Sequence, residues 1–182
     1  ILKTAVELMK ANPEYKFTIE QTYLLEHVEA NYPSLFSDIT RLTKEKRMEI
    51  AGGQYLMSDV MLPHGETLIR EILKGKRYIK DKFDQEVIVG WGADEFGFNA
   101  QWPQILLGCG YKYFAFRRGA DESKPSEFWW EGLDGSRILS HWMPLGYRAG
   151  LDLTQLQKSY IELENLAATH HIFMPSGSGV TL

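Results

Sequence analysis

Short runs of β-branched and aromatic residues alternate along this chain with stretches of helical periodicity, and that alternation limits it to the α/β class. Residues 1–12 open with an amphipathic helix that places Leu2, Ala5, Val6 and Met9 on one face, and Pro13 closes it. Tyr15 to Ile19 reads as a strand, residues 20–31 as a helix, and Pro33 opens a further helix carrying Leu35, Phe36, Ile39 and Leu42. Met48 to Ala51 is a short strand that stops at Gly52-Gly53. An irregular stretch then leads into a long helix from Glu66 to about Phe83, whose expected apolar face is Leu68, Ile69, Ile72, Leu73, Tyr78 and Ile79, with Gly75 inside it.

The continuous apolar run Val87 to Trp91 has the composition of a buried parallel strand. A short helix near Pro103 to Leu107 and a strand from Tyr111 to Phe116 follow. Asp134-Gly135 between two aromatic and β-branched runs, Phe128 to Glu131 and Arg137 to Trp142, predicts a hairpin. Residues 153–168 read as a last helix and Ile172 to Met174 as a last strand. Helices of this length cross over between parallel strands, so the sheet is expected to be open or part of a barrel. In both cases ligands are handled at the carboxyl ends of the strands. The polar residues just after each strand are therefore the candidates: Gln54 to Asp59, Asp94 to Asn99, Arg117-Arg118, His141, and Ser176 to Ser178.

Composition narrows the function. Twenty Lys+Arg against twenty-four Asp+Glu give a net charge of -4, so no basic excess argues for nucleic acid. The apolar runs are far shorter than a membrane span. With one cysteine, Cys109, there is no intrachain disulfide and no multi-cysteine zinc site, and a reducing, cytoplasmic compartment fits. The chain begins at Ile1 directly in a helix and stops just after an apolar segment, which suggests a piece of a larger domain. No nucleotide-binding glycine pattern, nucleophile elbow or paired-histidine zinc motif is present.

The most concentrated chemistry lies in Gly90-Trp91-Gly92-Ala93-Asp94-Glu95-Phe96-Gly97. A carboxylate at the mouth of a buried strand can act as nucleophile, base or metal ligand, and it can equally cap backbone N–H groups of its own turn. Phe96 offers an apolar floor for a ring. Arg117 and Arg118 can clamp a hydroxyl-rich or anionic ligand, or stand as a solvated basic pair. Five tryptophans can line a sugar site or fill a core. The five histidines read as surface or helix-end residues, and Cys109 as an inert core thiol.

Taken together, the motifs resemble the N-terminal catalytic domain of glycoside hydrolase family 38, the retaining α-mannosidases. The resemblance rests on Ala51-Gly52-Gly53-Gln54-Tyr55 leading to Asp59, on Leu62-Pro63-His64-Gly65-Glu66 with Ile69-Arg70, and on Gly75. It continues through Trp91 to Gly97, Pro103-Gln104-Ile105-Leu106, Gly110, Phe128-Trp129-Trp130-Glu131-Gly132 and Asp134-Gly135-Ser136. The resemblance implies a partial (β/α)7-type barrel with parallel strands, a zinc ion and a two-step retaining mechanism on a mannose-containing oligosaccharide or glycoside. In that scheme Asp94 is both nucleophile and zinc ligand, Phe96 packs near the sugar, Arg117 is the site arginine with Arg118 the alternative one position on, and Tyr147 matches a site tyrosine.

Two departures bear on the chemistry. The family's remaining zinc ligands, a His-x-Asp pair and a distant His, have no counterpart here, so they are expected on neighbouring parts of the same catalytic domain. The family's acid follows a strand comparable to Ile172 to Met174, where this chain has Pro175-Ser176-Gly177-Ser178-Gly179-Val180 and no carboxylate. The expectation is a fragment of one catalytic domain, residues 1–182 without internal boundary, that hydrolyses α-mannosidic bonds. The alternative is a carbohydrate-binding relative that has lost its acid. A metal-dependent deacetylase on a similar partial barrel ranks last, because it needs a His-x-x-x-His spacing that is absent.

Overall fold

The computed structural model describes residues 1–121, 123, 125–147, 150 and 152–175. It resolves into two compact units: Ile1–Ser58 with Pro63–Gly90, and Asp59–Leu62 with Trp91–Leu182. The architecture is mixed α/β with parallel strands.

The first unit contains α1 (Leu2–Ala11), β1 (Phe17–Ile19), α2 (Thr22–Asn31), α3 (Pro33–Lys44), β2 (Met48–Ile50) and α4 (Gly65–Phe83). Strands β1 and β2 run parallel, with Phe17 opposite Met48 and Ile19 opposite Ile50. Helix α3 packs on α1, α2, α4 and β2, so it is the hub of this unit. The apolar stripes converge on Met9, Leu25, Ile39, Leu42, Ile72 and Ile79, all fully buried. Each such side chain contributes about 1.5–3 kcal/mol by leaving water. Arg47 ties the entry to β1: its Nη2 donates to the carbonyls of Met9 (2.6 Å), Asn12 (2.9 Å) and Tyr15 (3.3 Å).

Helix α4 is continuous through Gly75, and the glycine is there for closeness. A Cβ at that position meets the carbonyl oxygen of Gly53 and stands 2.6 Å from both Gln54 C and Tyr55 N. The Gly53 to Leu56 segment is held on the helix by Tyr55 N donating to Glu71 O (3.1 Å) and Leu56 N donating to Glu71 Oε2 (3.1 Å). The buried face of α4 is Leu68, Ile72, Gly75, Ile79 and Phe83. Leu68, Ile72 and Ile79 of the expected face are buried and Ile69 and Tyr78 half-buried, while Leu73 is 49% exposed. Gly75 joins the buried face because backbone approaches it closely, which apolar periodicity does not register.

Strand β3 (Val89–Gly92) begins in the first unit and ends in the second. The second unit adds α5 (Trp102–Gly108), β4 (Tyr113–Phe116), β5 (Glu127–Glu131), β6 (Arg137–Trp142) and α6 (Leu153–Leu166). The sheet order is β3-β4-β6-β5. Strands β4 and β6 are parallel, and β5 and β6 form the predicted antiparallel hairpin. At its turn Asp134 Oδ2 accepts from Ser136 Oγ (2.6 Å), and Gly135 adopts φ +81°.

One face of this sheet is an aromatic core. Phe98 lies with its ring centroid 5.1 Å from Phe114, 5.6 Å from Phe116 and 6.2 Å from Trp102, and Trp130 is 5.8 Å from Phe116. Trp102 is thus a core residue, and Trp130 packs half-buried at the edge of the cluster. Phe98 folds back over the end of β3, and a Cβ on Gly92 stands 2.7 Å from Phe98 Cζ. Only glycine leaves room for that return, which shapes the turn carrying Asp94. Cys109 is buried at the end of α5, as expected of a core thiol.

The strand expected at Ile172 to Met174 is not formed: the described residues 171–175 carry no regular structure. Phe173 instead makes edge-on ring contacts with Trp91 (6.0 Å) and His141 (5.4 Å). Apolar and β-branched composition is shared by strands and by irregular segments that make ring contacts, and Phe173 stays 41% exposed while doing so. The segment Ser176 to Val180 lies outside the described residues.

Candidate active site

The site lies within the second unit, where β3 and β4 end side by side. Arg117 N donates to Gly92 O (3.1 Å), which carries the strand pairing one rung past β4. Met143 N donates to Phe116 O (2.8 Å) and Trp142 Nε1 to Arg117 O (2.8 Å), so the backbone at Arg117 is held on both sides. These bonds bring the turn after β3 and the residues after β4 together. Arg118 Nη2 lies 2.6 Å from Asp94 Oδ1, and Arg117 Nη1 lies 4.0 Å from the same oxygen. The Asp94 side chain is 41% exposed, so this is an open carboxylate in contact with solvent.

Two rings flank the pair. The Arg118 guanidinium carbon is 4.4 Å from the Phe96 ring centroid, and that of Arg117 is 5.2 Å from Tyr147. Phe96 is 78% exposed, a large apolar ring held at the surface beside the ion pair. Gly146, with φ +59°, is the bed on which Arg117 lies: a Cβ there stands 2.6 Å from Arg117 Nε and 2.9 Å from its Cδ. Asp94, Phe96, Arg117 and Tyr147, all singled out from sequence, are thus joined by direct contacts through the two arginines. Gly146 and Trp142 are positioning residues that the sequence reading missed; a glycine after an apolar turn gives no signal until its φ and its neighbour are known. Of the two arginines, Arg118 is the nearer to Asp94.

Other sequence candidates go elsewhere. Gln54 to Ser58 belong to the first unit, where Gln54 Oε1 accepts from Ser58 N (3.2 Å). His141 is opposite Glu127 across the β5–β6 pair, with Nδ1 3.0 Å from Glu127 Oε1. A carboxylate only accepts, so Nδ1 of the neutral ring carries the hydrogen. Burial lowers the pKa of His141 below the ordinary histidine value, against the opposing pull of Glu127. A cleft in the first unit, lined in part by Lys16, Thr18, Lys46 and Glu49, includes none of the residues around Asp94.

Zinc requires three or four protein ligands. Among the described residues no group of three or more His, Cys, Asp or Glu is placed to hold a metal ion, and Asp94 Oδ1 is already taken by Arg118. The donor set of the described residues does not by itself fit zinc.

An open carboxylate backed by two guanidinium groups and bordered by exposed Phe96 and half-buried Tyr147 can take a ring rich in hydroxyls: polar groups for the hydroxyls, an aromatic face for the C–H edges. The scaffold places this site at the carboxyl ends of parallel strands of an α/β unit. Residues 1–181 match the model of the glycosyl hydrolases family 38 N-terminal domain, and the chain belongs to this family. Alpha-mannosidase 2C1 from Homo sapiens is 38% identical over 145 residues, covering 78% of this chain and 14% of that protein. Alpha-mannosidase G from Dictyostelium discoideum is 28% identical over 181 residues, covering 97% of this chain and 17% of that protein. Among solved structures, an alpha-mannosidase from Enterococcus faecalis V583 superposes with a TM-score of 0.88 at 25% identity, covering 97% of this chain and 21% of that one. The chain therefore spans a minor part of the length of the relatives it matches.

Proposed function

We propose that this chain contributes to a catalytic domain that hydrolyses α-mannosidic bonds with retention, and that Asp94 is its nucleophile. The observation that carries the reading is the Asp94–Arg118 contact at 2.6 Å beside exposed Phe96, at the end of a strand in a family 38 chain. Both guanidinium contacts fall on Oδ1. They orient the carboxylate and leave Oδ2 to attack the anomeric carbon, with the glycosidic C–O bond breaking and an ester to Asp94 forming. Arg117, resting on Gly146 and beside Tyr147, offers N–H donors to sugar hydroxyls, and Phe96 packs on the ring.

A retaining mechanism needs a second carboxyl that protonates the leaving oxygen. No residue of this chain is assigned that role, since the segment at the family's acid position, Ser176 to Val180, has none. The remaining zinc ligands and the acid belong, in this reading, to neighbouring parts of the same domain, as do the strands that complete a (β/α)7-type barrel. No helix among the described residues is long and apolar enough to cross a membrane. A cytoplasmic setting suits a chain whose single cysteine, Cys109, is a buried thiol.

The test is hydrolysis of an aryl α-mannoside by the whole protein and by Asp94→Asn. The variant is expected to lose roughly three orders of magnitude in kcat. Equal rates discard Asp94 as nucleophile. The missing carboxyl at Ser176 to Val180 favours one second reading, a carbohydrate-binding relative without turnover. Mannoside binding by the wild type with no hydrolysis of any glycoside selects it.

A further inference from the structure

Four residues depart from their sequence neighbours. Asp59–Leu62 belongs to the second unit, although the residues on both sides of it belong to the first. The segment is fastened there. Val60 is 1% exposed, and its carbonyl accepts from Asn99 Nδ2 (2.9 Å). Asn99 is itself fixed at the start of α5, accepting from Gln101 N through Oδ1 (3.0 Å) and from Trp102 N through its carbonyl (3.0 Å). Asp59 closes the turn, taking Met61 N on Oδ1 and Leu62 N on its carbonyl, each at 3.2 Å.

This anchoring holds two large apolar side chains in solvent: Met61 is 59% exposed and Leu62 81% exposed. Single exposed apolar residues are ordinary, but a contiguous exposed patch marks a contact surface. Here Met61 adjoins the candidate site, and Leu62 is its chain neighbour. Met61 Cγ lies 3.6 Å from the point where Gly97 would carry a Cβ, and Gly97 follows exposed Phe96, the ring over which Arg118 reaches from Asp94. The polar groups of the site are gathered at Asp94. Met61 and Leu62 offer no hydrogen-bonding group to a sugar hydroxyl, so what they can contact is an apolar surface.

We infer that Met61 and Leu62, continuing from Phe96, form a wall that contacts the apolar face of the leaving group when a glycoside is bound at Asp94. This rests on the reading of the site as a mannoside-cleaving centre. The wall selects glycosides whose leaving group presents an apolar surface, whether an aryl or alkyl aglycone or the C–H face of a second pyranose.

The experiment compares the whole wild-type protein with the double variant Met61→Ala/Leu62→Ala on 4-nitrophenyl α-mannoside, methyl α-mannoside and an α-linked mannobiose. Both side chains are exposed, and the methyl glycoside serves as the internal control for folding and for the chemistry at Asp94. The expected result is a fall in kcat/KM of about tenfold on the aryl glycoside, with the methyl glycoside changed by less than about twofold. A matching fall on mannobiose identifies the second pyranose as a natural occupant; no fall on mannobiose leaves the aryl or alkyl aglycone. Parallel losses on all three substrates, or an unchanged aryl rate, overturn the wall and leave the mannosidase reading standing. A wild type inactive on all three overturns that reading and the wall with it.

Discussion

Gly146→Ala separates the backbone at the candidate site from the arginine that rests on it. Gly146 has φ +59°, a region that costs an L-residue about 1–2 kcal/mol. The added Cβ also falls 2.6 Å from Arg117 Nε and 3.0 Å from its Cζ, so the guanidinium must leave its place beside Asp94 and Tyr147. That displacement strains the fold little, because the Arg117 side chain can swing away. With Arg117 binding sugar hydroxyls as proposed, it removes a charge-assisted contact worth about 1.5–3 kcal/mol, roughly a ten- to hundredfold loss in kcat/KM. Gly135→Ala is the matched control: it adopts φ +81° in the β5–β6 turn, and a Cβ there has nothing within 4 Å. Thermal unfolding and aryl α-mannoside kinetics on the whole protein read the two effects apart. Both variants are expected to lose similar stability, and only Gly146→Ala to lose activity. Equal activity in the two variants refutes the placing of Arg117 in the site.

Three further outcomes follow from the same geometry. Gly75→Ala gains up to about 1 kcal/mol of helix propensity but drives a Cβ into the backbone at Gly53 to Tyr55, so urea unfolding is expected to show a net loss of about 1–3 kcal/mol; a stabilised variant contradicts the close approach. His141 is held below the ordinary value of 6.5 by burial, so the unfolded chain takes up its proton first as pH falls. The stability this residue contributes is present above pH 6.5 and lost as pH falls through its lowered folded value; unfolding midpoints across that range are expected to fall less steeply in His141→Gln than in the wild type, and identical slopes contradict it. The 182-residue chain alone is expected to bind zinc weakly, because one carboxylate does not hold the metal, and metal analysis showing tight stoichiometric zinc overturns this.

Much of the fold was legible because local signals and tertiary packing agree. The Asp134-Gly135 turn formed as its residues require, and Pro33 opens α3. The reading failed where one signal serves two causes. Ile172 to Met174 has the composition of a strand, but the segment carries no regular structure and Phe173 meets Trp91 and His141 edge-on. On α4 periodicity finds Leu68, Ile72 and Ile79, and nothing in it announces that Gly75 touches backbone.

Local sequence is enough to set the α/β class, most of the run of strands and helices, and the polar residues that follow β3 and β4. Hydrophobic period, glycine, proline and family motifs are local properties, and they survive without coordinates. Tertiary structure alone decided that Arg118 lies nearer Asp94 than Arg117 does, that Gly146 supports Arg117, and that Met61 and Leu62 stand on the unit carrying Asp94. These are relations between residues 23 to more than 30 positions apart, set by strand pairing and side-chain contact, and no local pattern encodes them.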